Sequence, residues 1–578
     1  MRSHPAMRLT LAARSVRPAA ALLIVAFILV AASSPGATAP GAPRGGAVAS
    51  AAPDATAAGL AILRAGGNAA DAAVATALAL AVVHPEAGNL GGGGFAVVRI
   101  GGQAAALDFR EAAPAAATPT MYLGADGQPV PGRSLVGPLA AGVPGSPAGL
   151  FELQRRFGVL PWAEVVAPAV RLATDGFVVT PRLHGEIAAA RGLLARFPAS
   201  AAAWLPGGVP PPSGSVMKVP ALAATLAAYA ERGPAAITTG AAAAAIEAAS
   251  RADGGIITAA DLAAYEPVWR DPLRFAAFGW SVAAMPLPSS GGIIMGESVG
   301  MLERLHWGAL PPGSVQRIHL MVESWRRAYA DRFLLGDPAT TQAGPVQLLD
   351  PAWLARRAAE IDPVRATPST AVRPWPGTAA AEPRETTHLS VVDASGNAVA
   401  ITTTLNGAFG CGLLVGPVGI LLNNEMDDFA TAPGKPNLYG LVQGEANAVG
   451  AGKRMLSSMA PTVAWRGDDV LAVGTPGGSY IPTVTEQVLL AVLVDGSPLQ
   501  AAVDAPRFHH QWLPDEIMAE PAAVAGGVAA ELKRRGYALR LVPRLGEVNA
   551  VRRHPDGRFE AAADSRGPGA AEVLTPLR

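Results

Sequence analysis

Cysteine is almost missing from this chain. Cys411 stands alone, so no intrachain disulfide can form, and stability has to come from the core. Charge is scarce as well, at 16% of residues, and 45 basic side chains are cancelled by 45 acidic ones. No lysine and arginine run interleaves with aromatics, which make up only 5% of the sequence, so the footprint of a nucleic-acid or acidic-membrane binder is missing. A small-molecule partner is the expectation. The N-terminal apolar run, Ala19 to Ala32, is shorter than the roughly 18 to 20 residues a membrane-spanning helix needs. Later apolar stretches are broken by glycine, proline or charge, and no internal repeat is found.

What remains is the composition of a folded protein, since half of the residues are hydrophobic. The 65 glycines and 52 prolines sit mostly among apolar segments and read as turns and caps. A length of 578 residues allows one large domain or two to four ordinary ones. Arg2, Arg8, Arg14 and Arg17 precede the apolar run, and small residues ending in Ala37-Thr38-Ala39 follow it. This layout predicts a secretory signal peptide over residues 1–39 and a secreted or periplasmic protein, with an uncleaved N-terminal anchor as the alternative.

Further along, Ala51 to Ala81 reads as helix, turn, helix, broken at Gly66-Gly67-Asn68. A glycine-rich loop, Asn89 to Gly94, precedes two runs expected to pair as strands, Phe95 to Ile100 and Ala104 to Phe109. From about Leu150 to Glu360 helical periodicity dominates, and Pro374 to Pro383 reads as an exposed linker. Beyond it the character changes to β-branched runs. Leu389 to Val392 and Ala398 to Thr403 are joined by a hairpin signal, and Ile420 to Leu422, Thr462 to Trp465 and Val470 to Val473 follow. A helix-rich first half and a strand-rich later part point to an α/β layered protein.

The linker stops just before Thr386. The stretch Thr386-Thr387-His388-Leu389-Ser390, then Gly396-Asn397, Thr402-Thr403-Thr404-Leu405-Asn406 and Phe409-Gly410 resembles the signature of the γ-glutamyltranspeptidase family. Further matches follow in family order: Leu422 to Phe429, Leu456-Ser457-Ser458-Met459, Pro476-Gly477-Gly478-Ser479 and Pro506 to His510. Asn89 to Phe95 and Asp108-Phe109-Arg110-Glu111 complete the set. The resemblance implies a four-layer αββα N-terminal nucleophile hydrolase fold. It also implies cleavage between Glu385 and Thr386 into a large subunit, 40–385, and a small subunit, 386–578, intertwined in one domain.

A threonine hydroxyl is a weak nucleophile and needs a base within hydrogen-bond reach. Once Thr386 is a chain terminus, its own α-amino group, with an ordinary pKa of about 8, can serve. The resemblance further implies that Arg110 grips a substrate α-carboxylate, helped by Ser457 and Ser458, while Asp428, Glu425 and Asn406 hold the α-ammonium. Backbone N–H groups of Gly477 and Gly478 would stabilise the oxyanion, and Thr404 would bond the Thr386 hydroxyl. Many bacterial members carry glutamine where this chain has Glu425, a change that keeps an acceptor and adds charge. Pro433 to Glu445, with Tyr439, resembles the family's lid loop. The implied partners are a glutathione-like γ-glutamyl donor and an amino-acid or peptide acceptor, and neither metal nor organic cofactor is implied.

Singly, each feature has a plainer reading: Thr386-Thr387 as strand residues, Arg110 in an ordinary ion pair, Ser457-Ser458 and Gly477-Gly478 as turns. Their joint order argues for a site. His509-His510 lacks a third ligand at zinc-type spacing and reads as packing, as does Cys411. Gly91 to Gly94 lacks the following Lys-Ser/Thr of a phosphate loop. Gly296-Glu297-Ser298-Val299-Gly300 matches a nucleophile elbow, but it lies in a helical run with no long buried strand ahead of it. The nearer rivals are a cephalosporin or glutaryl acylase of the same fold and an unprocessed exported binding protein.

Overall fold

The computed structural model describes residues 45–341, 343–374, 385–430 and 444–575, all within the unit Thr38–Arg578. The expected signal peptide, nearly all of the expected linker and the lid residue Tyr439 lie outside the described residues.

Two antiparallel sheets face each other. The first takes strands β1 (Gly46–Ser50), β2 (Gly93–Ile100), β3 (Gln103–Phe109) and β4 (Val268–Arg270) from the part of the chain before the predicted cleavage point. The second takes β5 (Leu273–Ala277) and β6 (Trp280–Ala284) from that part. After it come β7 (Glu385–Asp393), β8 (Ala398–Asn406), β9 (Thr462–Arg466), β10 (Asp469–Gly474), β11 (Asn549–Arg553), β12 (Phe559–Ala563) and β13 (Ala570–Leu574). The first sheet runs β13-β1-β7-β8-β2-β3-β4 and the second β12-β11-β10-β9-β6-β5. Both sheets thus mix strands from the two sides of residue 385.

Helices cover the outer faces. Helices α1 (Pro53–Ala65) and α2 (Ala69–Val83) pack on β1, β7, β8 and β13. Over the second sheet lie α3 (Gly291–Arg304), with α4 (Val315–Asp331) packed against it, and α5 (Ile481–Leu493), which meets β10. Alternation along each strand divides the core accordingly. Leu389 and Val391 of β7 belong to the cluster under α1 and α2, whereas Val392 joins Ala398, Ala472 and Val551 between the sheets. A third cluster joins the far face of the second sheet to α3, α4 and α5. The layers are therefore helix, sheet, sheet, helix, as expected.

Several predicted elements stand where the pattern put them, including the α1–α2 pair, the β2–β3 hairpin and the β7–β8 hairpin. Strand β7 starts earlier than the β-branched run suggested, at Glu385, so Thr386 is within the strand. The division into a helical half and a strand half is too simple. Strands β1 and β4 to β6 come from the first half, and α5 sits in the second.

Asp393 ends β7 and organises the turn beyond it. It accepts from the backbone N–H groups of Ser395 and Asn397 and the Asn397 amide, at 2.9 to 3.1 Å. It also accepts from the N–H of Ala69 at 3.0 Å, which puts a carboxylate at the N-terminus of α2. Asp393→Ala would leave these buried donors unmatched. We expect it to cost about 2 to 3 kcal/mol, read as a lower urea midpoint, and an unchanged midpoint would rule out this role.

Candidate active site

Along β7 the pleat alternates, and His388, Ser390 and Val392 share the face turned to the second sheet. The Ser390 hydroxyl donates to the Asn549 carbonyl of β11 over 3.0 Å, and the His388 ring lies against β10. Thr386 falls on this same face by the two-residue period, and it is 7% exposed. Opposite it, the β7–β8 register shifts between Thr403 and Asn406, so β8 bulges beside the start of β7. Bulges re-aim side chains. Here the Thr404 hydroxyl accepts from the N–H of Asn406 at 2.8 Å, and Asn406 takes a left-handed conformation with φ of 71°.

Strand β10 brings the predicted oxyanion turn to this end of β7. A Cβ on Gly474, its last residue, would come within 2.4 Å of the His388 ring, two residues from Thr386. Gly477 follows with φ of 132°, where a Cβ would meet the Tyr480 ring at 1.9 Å, so only glycine fits. The Gly478–Tyr480 turn then leads straight into α5. Backbone N–H groups at such an entry to a helix favour negative charge.

The charged residues form one buried group. Arg110, just beyond β3, is fully buried and its two terminal nitrogens pair with Glu425 and Asp428. Its Nε donates to the Met455 carbonyl at 3.3 Å, and Glu111 lies 3.8 Å away. Glu425 to Asp428 form one helical turn. Asn423 holds that turn, accepting from the N–H of Glu425 and donating to the carbonyls of Gly91 and Gly142. The Asn406 amide donates to the Asn424 carbonyl at 2.9 Å, joining the charged group to the β8 bulge. Of the sequence-predicted residues, the structure thus links Thr404, Asn406, Glu425, Arg110 and Asp428, and Met455 leads on to Ser457 and Ser458. Tyr439 and the Glu385 side chain are outside the described residues.

Three carboxyl groups crowd the Arg110 guanidinium here, and burial dominates their protonation. It pushes Glu425 well above the usual carboxylate range, against the pull of Arg110 and with help from Glu111 and Asp428. Burial also raises Asp428, opposed by Arg110 and Arg332. Glu111 is pushed up to about 7, again by burial and against Arg110. Burial works to lower Arg110, but Glu425, Asp428 and Glu111 together raise it, so it stays a cation. The group offers a fixed cation and adjacent acceptors, the complement of an α-amino acid head group.

Other readings are placed elsewhere. Ser298 sits within α3 and donates to buried Glu486 at 2.6 Å, so the elbow-like pentapeptide is helix interior. His509 bonds Thr483 and Gln511, His510 meets Trp512 and Asp515, and Cys411 is buried with its thiol pushed up to about 12 by that burial. Gly91 to Gly94 brace the bulge: a Cβ on Gly92 would reach 2.1 Å from the Thr404 carbonyl. Ser289, Ser290 and Arg332 stand in none of the sequence motifs; the two serines contact the Ser457 turn, and Arg332 reaches it through Ser290. The Pro288-Ser289-Ser290-Gly291-Gly292 run ahead of a helix was the available signal.

The chain is similar to known proteins along most of its length. A family model described as gamma-glutamyltranspeptidase matches residues 55–574. The chain is 44% identical over 549 residues to the glutathione hydrolase proenzyme of Pseudomonas aeruginosa, covering 92% of this chain and 95% of that one. It is 42% identical over 525 residues to the glutathione hydrolase proenzyme of Escherichia coli K12, covering 90% of each. Among solved structures, a cephalosporin acylase from Bacillus halodurans matches with a TM-score of 0.81 at 28% identity, covering 95% of this chain and 99% of that one.

His388 bonds Thr402 at 2.9 Å and Ser390 at 3.0 Å, and burial lowers it to about 3. A base lowered in the folded state stabilises above its unfolded pKa of about 6.5 and loses that contribution as pH falls toward 3. Between pH 7 and pH 5 this one group should remove about 2 kcal/mol. His388→Gln should show a correspondingly shallower loss of urea midpoint over that range, and parallel curves would count against a buried neutral imidazole.

Proposed function

The chain belongs to the γ-glutamyltranspeptidase family, and from that premise we propose that it is an exported precursor whose Thr386 first cuts the chain and then transfers γ-glutamyl groups. Residues 1–39 serve as the signal, 40–385 become the large subunit and 386–578 the small one. No helix among the described residues is long and apolar enough to cross a membrane.

In processing, the Thr386 hydroxyl attacks the Glu385 carbonyl carbon. The C–N bond breaks as a C–O bond forms, and the nitrogen, now protonated, becomes the free α-amino group of Thr386. Water then hydrolyses the ester and leaves Glu385 as a carboxylate. In turnover that α-amino group takes the hydroxyl proton, directly or through a water, while Oγ attacks the donor's γ-amide carbonyl. The N–H groups of Gly477 and Gly478 receive the oxyanion, and the proton passes to the departing amine. Water or an acceptor amine completes the transfer from the Thr386 ester.

The observation that carries this reading is the hydrogen-bonded continuity from the Thr404–Asn406 bulge, beside the start of β7, to the turn that pairs with Arg110. On this reading the donor's α-carboxylate displaces one carboxylate from the Arg110 fork, with Ser457 and Ser458 assisting. The displaced group, with Asn406, then meets the α-ammonium one carbon away. Thr404 bonds the Thr386 hydroxyl during both cleavage and turnover. Glutathione-like amides are the donors, and amino acids or peptides the acceptors.

The likeness to a cephalosporin acylase favours a second reading, in which a glutaryl-type group occupies the pocket. A γ-glutamyl and a glutaryl p-nitroanilide differ only by the ammonium, and faster release from the glutaryl compound would select that reading. For the main one, wild type should give two bands on a denaturing gel and release p-nitroaniline from the γ-glutamyl compound. Thr386→Ala should give one band and lower p-nitroaniline release by about a thousandfold or more. Two bands from the variant would sink self-cleavage at Thr386.

A further inference from the structure

Ser457 and Ser458 can orient a carboxylate only if the turn carrying them is held in place. Much of that hold comes from Ser289 and Ser290, at the start of α3. The backbone N–H of Ser290 donates to the Ser457 carbonyl over 2.7 Å, and its hydroxyl donates to the same oxygen over 2.8 Å. That hydroxyl also lies 3.5 Å from the Ser458 hydroxyl. Ser289 donates to the Met459 carbonyl over 2.6 Å, pinning the other end of the turn. There is no room for slack, since a Cβ on Gly291 would stand 2.6 Å from the Ser458 carbonyl.

The Ser290 hydroxyl has one proton, and its direction is set by what the oxygen accepts. Arg332, just beyond α4, donates its Nε–H to that oxygen over 3.0 Å, so the proton is left to point at Ser457. Arg332 is buried, and its charge acts on Asp428 alongside that of Arg110. Without it, Glu111, Glu425 and Asp428 would face a single guanidinium. The α-carboxylate of an entering head group would then have one cation fewer nearby.

We infer that Arg332 is a positioning residue for the donor's α-carboxylate. It acts through Ser290 on the Ser457–Ser458 turn and through its charge on the Asp428 side of the Arg110 cluster. This rests on the γ-glutamyl reading above. Its effect is on binding of the carboxylate and not on the attack by Thr386, so it separates KM from kcat.

The test compares wild type with Arg332→Gln, Arg332→Lys and Ser290→Ala on γ-glutamyl p-nitroanilide and on 4-aminobutyryl p-nitroanilide, which lacks only the α-carboxylate. Arg332→Gln should raise KM for the first donor about tenfold and keep kcat within about threefold, the size expected for one lost charge-assisted hydrogen bond. Arg332→Lys keeps the charge and should recover part of the loss, and Ser290→Ala should raise KM less than Arg332→Gln. All variants should stay within about threefold of wild type on the second donor. If that donor turns over too slowly, the KM against kcat comparison decides alone. If Arg332→Gln does not fold, the lysine and serine variants carry the same comparison. Unchanged KM, or equal losses on both donors, overturns the inference. Failure of wild type to release p-nitroaniline from the γ-glutamyl donor counts instead against the γ-glutamyl reading itself.

Discussion

Strand β7 is bonded on both edges, to β1 on one side and β8 on the other, and this double ladder is the constraint around which the rest is arranged. A strand held by two neighbours along Leu389–Val392 does not depend on the Glu385–Thr386 bond at its start. Loss of that bond would free an amine at Thr386 without freeing the strand. The partners come from opposite sides of residue 385, because β1 is near the start of the described chain and β8 follows β7. The same mixing recurs across the second sheet, where β6 pairs with β9. Two chain pieces would therefore share one core and stay together by burial and hydrogen bonding.

That placement also decides what can approach Thr386. The inter-sheet face of β7 is narrow, with His388 wedged against Gly474, so the Gly477-Gly478 turn is delivered at a fixed offset from the threonine. On the other side, Asn89 donates to the Thr403 hydroxyl and the Thr404 carbonyl and accepts from the N–H of Gly92, so the glycine-rich loop props the bulge. Glycines read from the sequence as turn residues act here through the absence of a side chain. They let one backbone lie directly on another.

The sequence made the local features legible and left the non-local ones hidden. Thr386, Arg110, Glu425, Asp428 and the Gly477-Gly478 pair stand in short motifs, and motifs survive as strings. β7 and β8 were readable because β-branched runs flank a turn with Gly396-Asn397. Strand β1, Gly46–Ser50, was not, since alanine and glycine carry little strand preference and its strand character comes from being fitted between β13 and β7. Nor could spacing show that Arg110 already pairs with the carboxylates expected to hold a different part of the ligand. Ser290 contacts the Ser457 turn and Arg332 reaches it through Ser290, both from distant positions in the chain, and no periodicity reports such contacts.

The internal pairing of Arg110 has an energetic reason and a consequence for selectivity. A buried guanidinium with an empty fork would carry an uncompensated charge that costs several kcal/mol. Glu425 and Asp428 remove that cost in the absence of ligand, at the expense of crowding carboxylates, which burial answers by favouring their protonated forms. On the proposed reading, an α-amino acid head group enters with one charge of each sign and exchanges partners without changing the net charge of the site. A glutaryl group brings only the negative charge. It would have to displace a carboxylate from Arg110 without supplying the ammonium that would otherwise meet it, unless a proton were taken up with it. On that same reading, preference between these acyl groups would be governed less by the Thr386 chemistry, common to both, than by the carboxyl groups that surround Arg110. Glu425 adds a titratable carboxyl group where glutamine would add none, one that burial holds toward its protonated form.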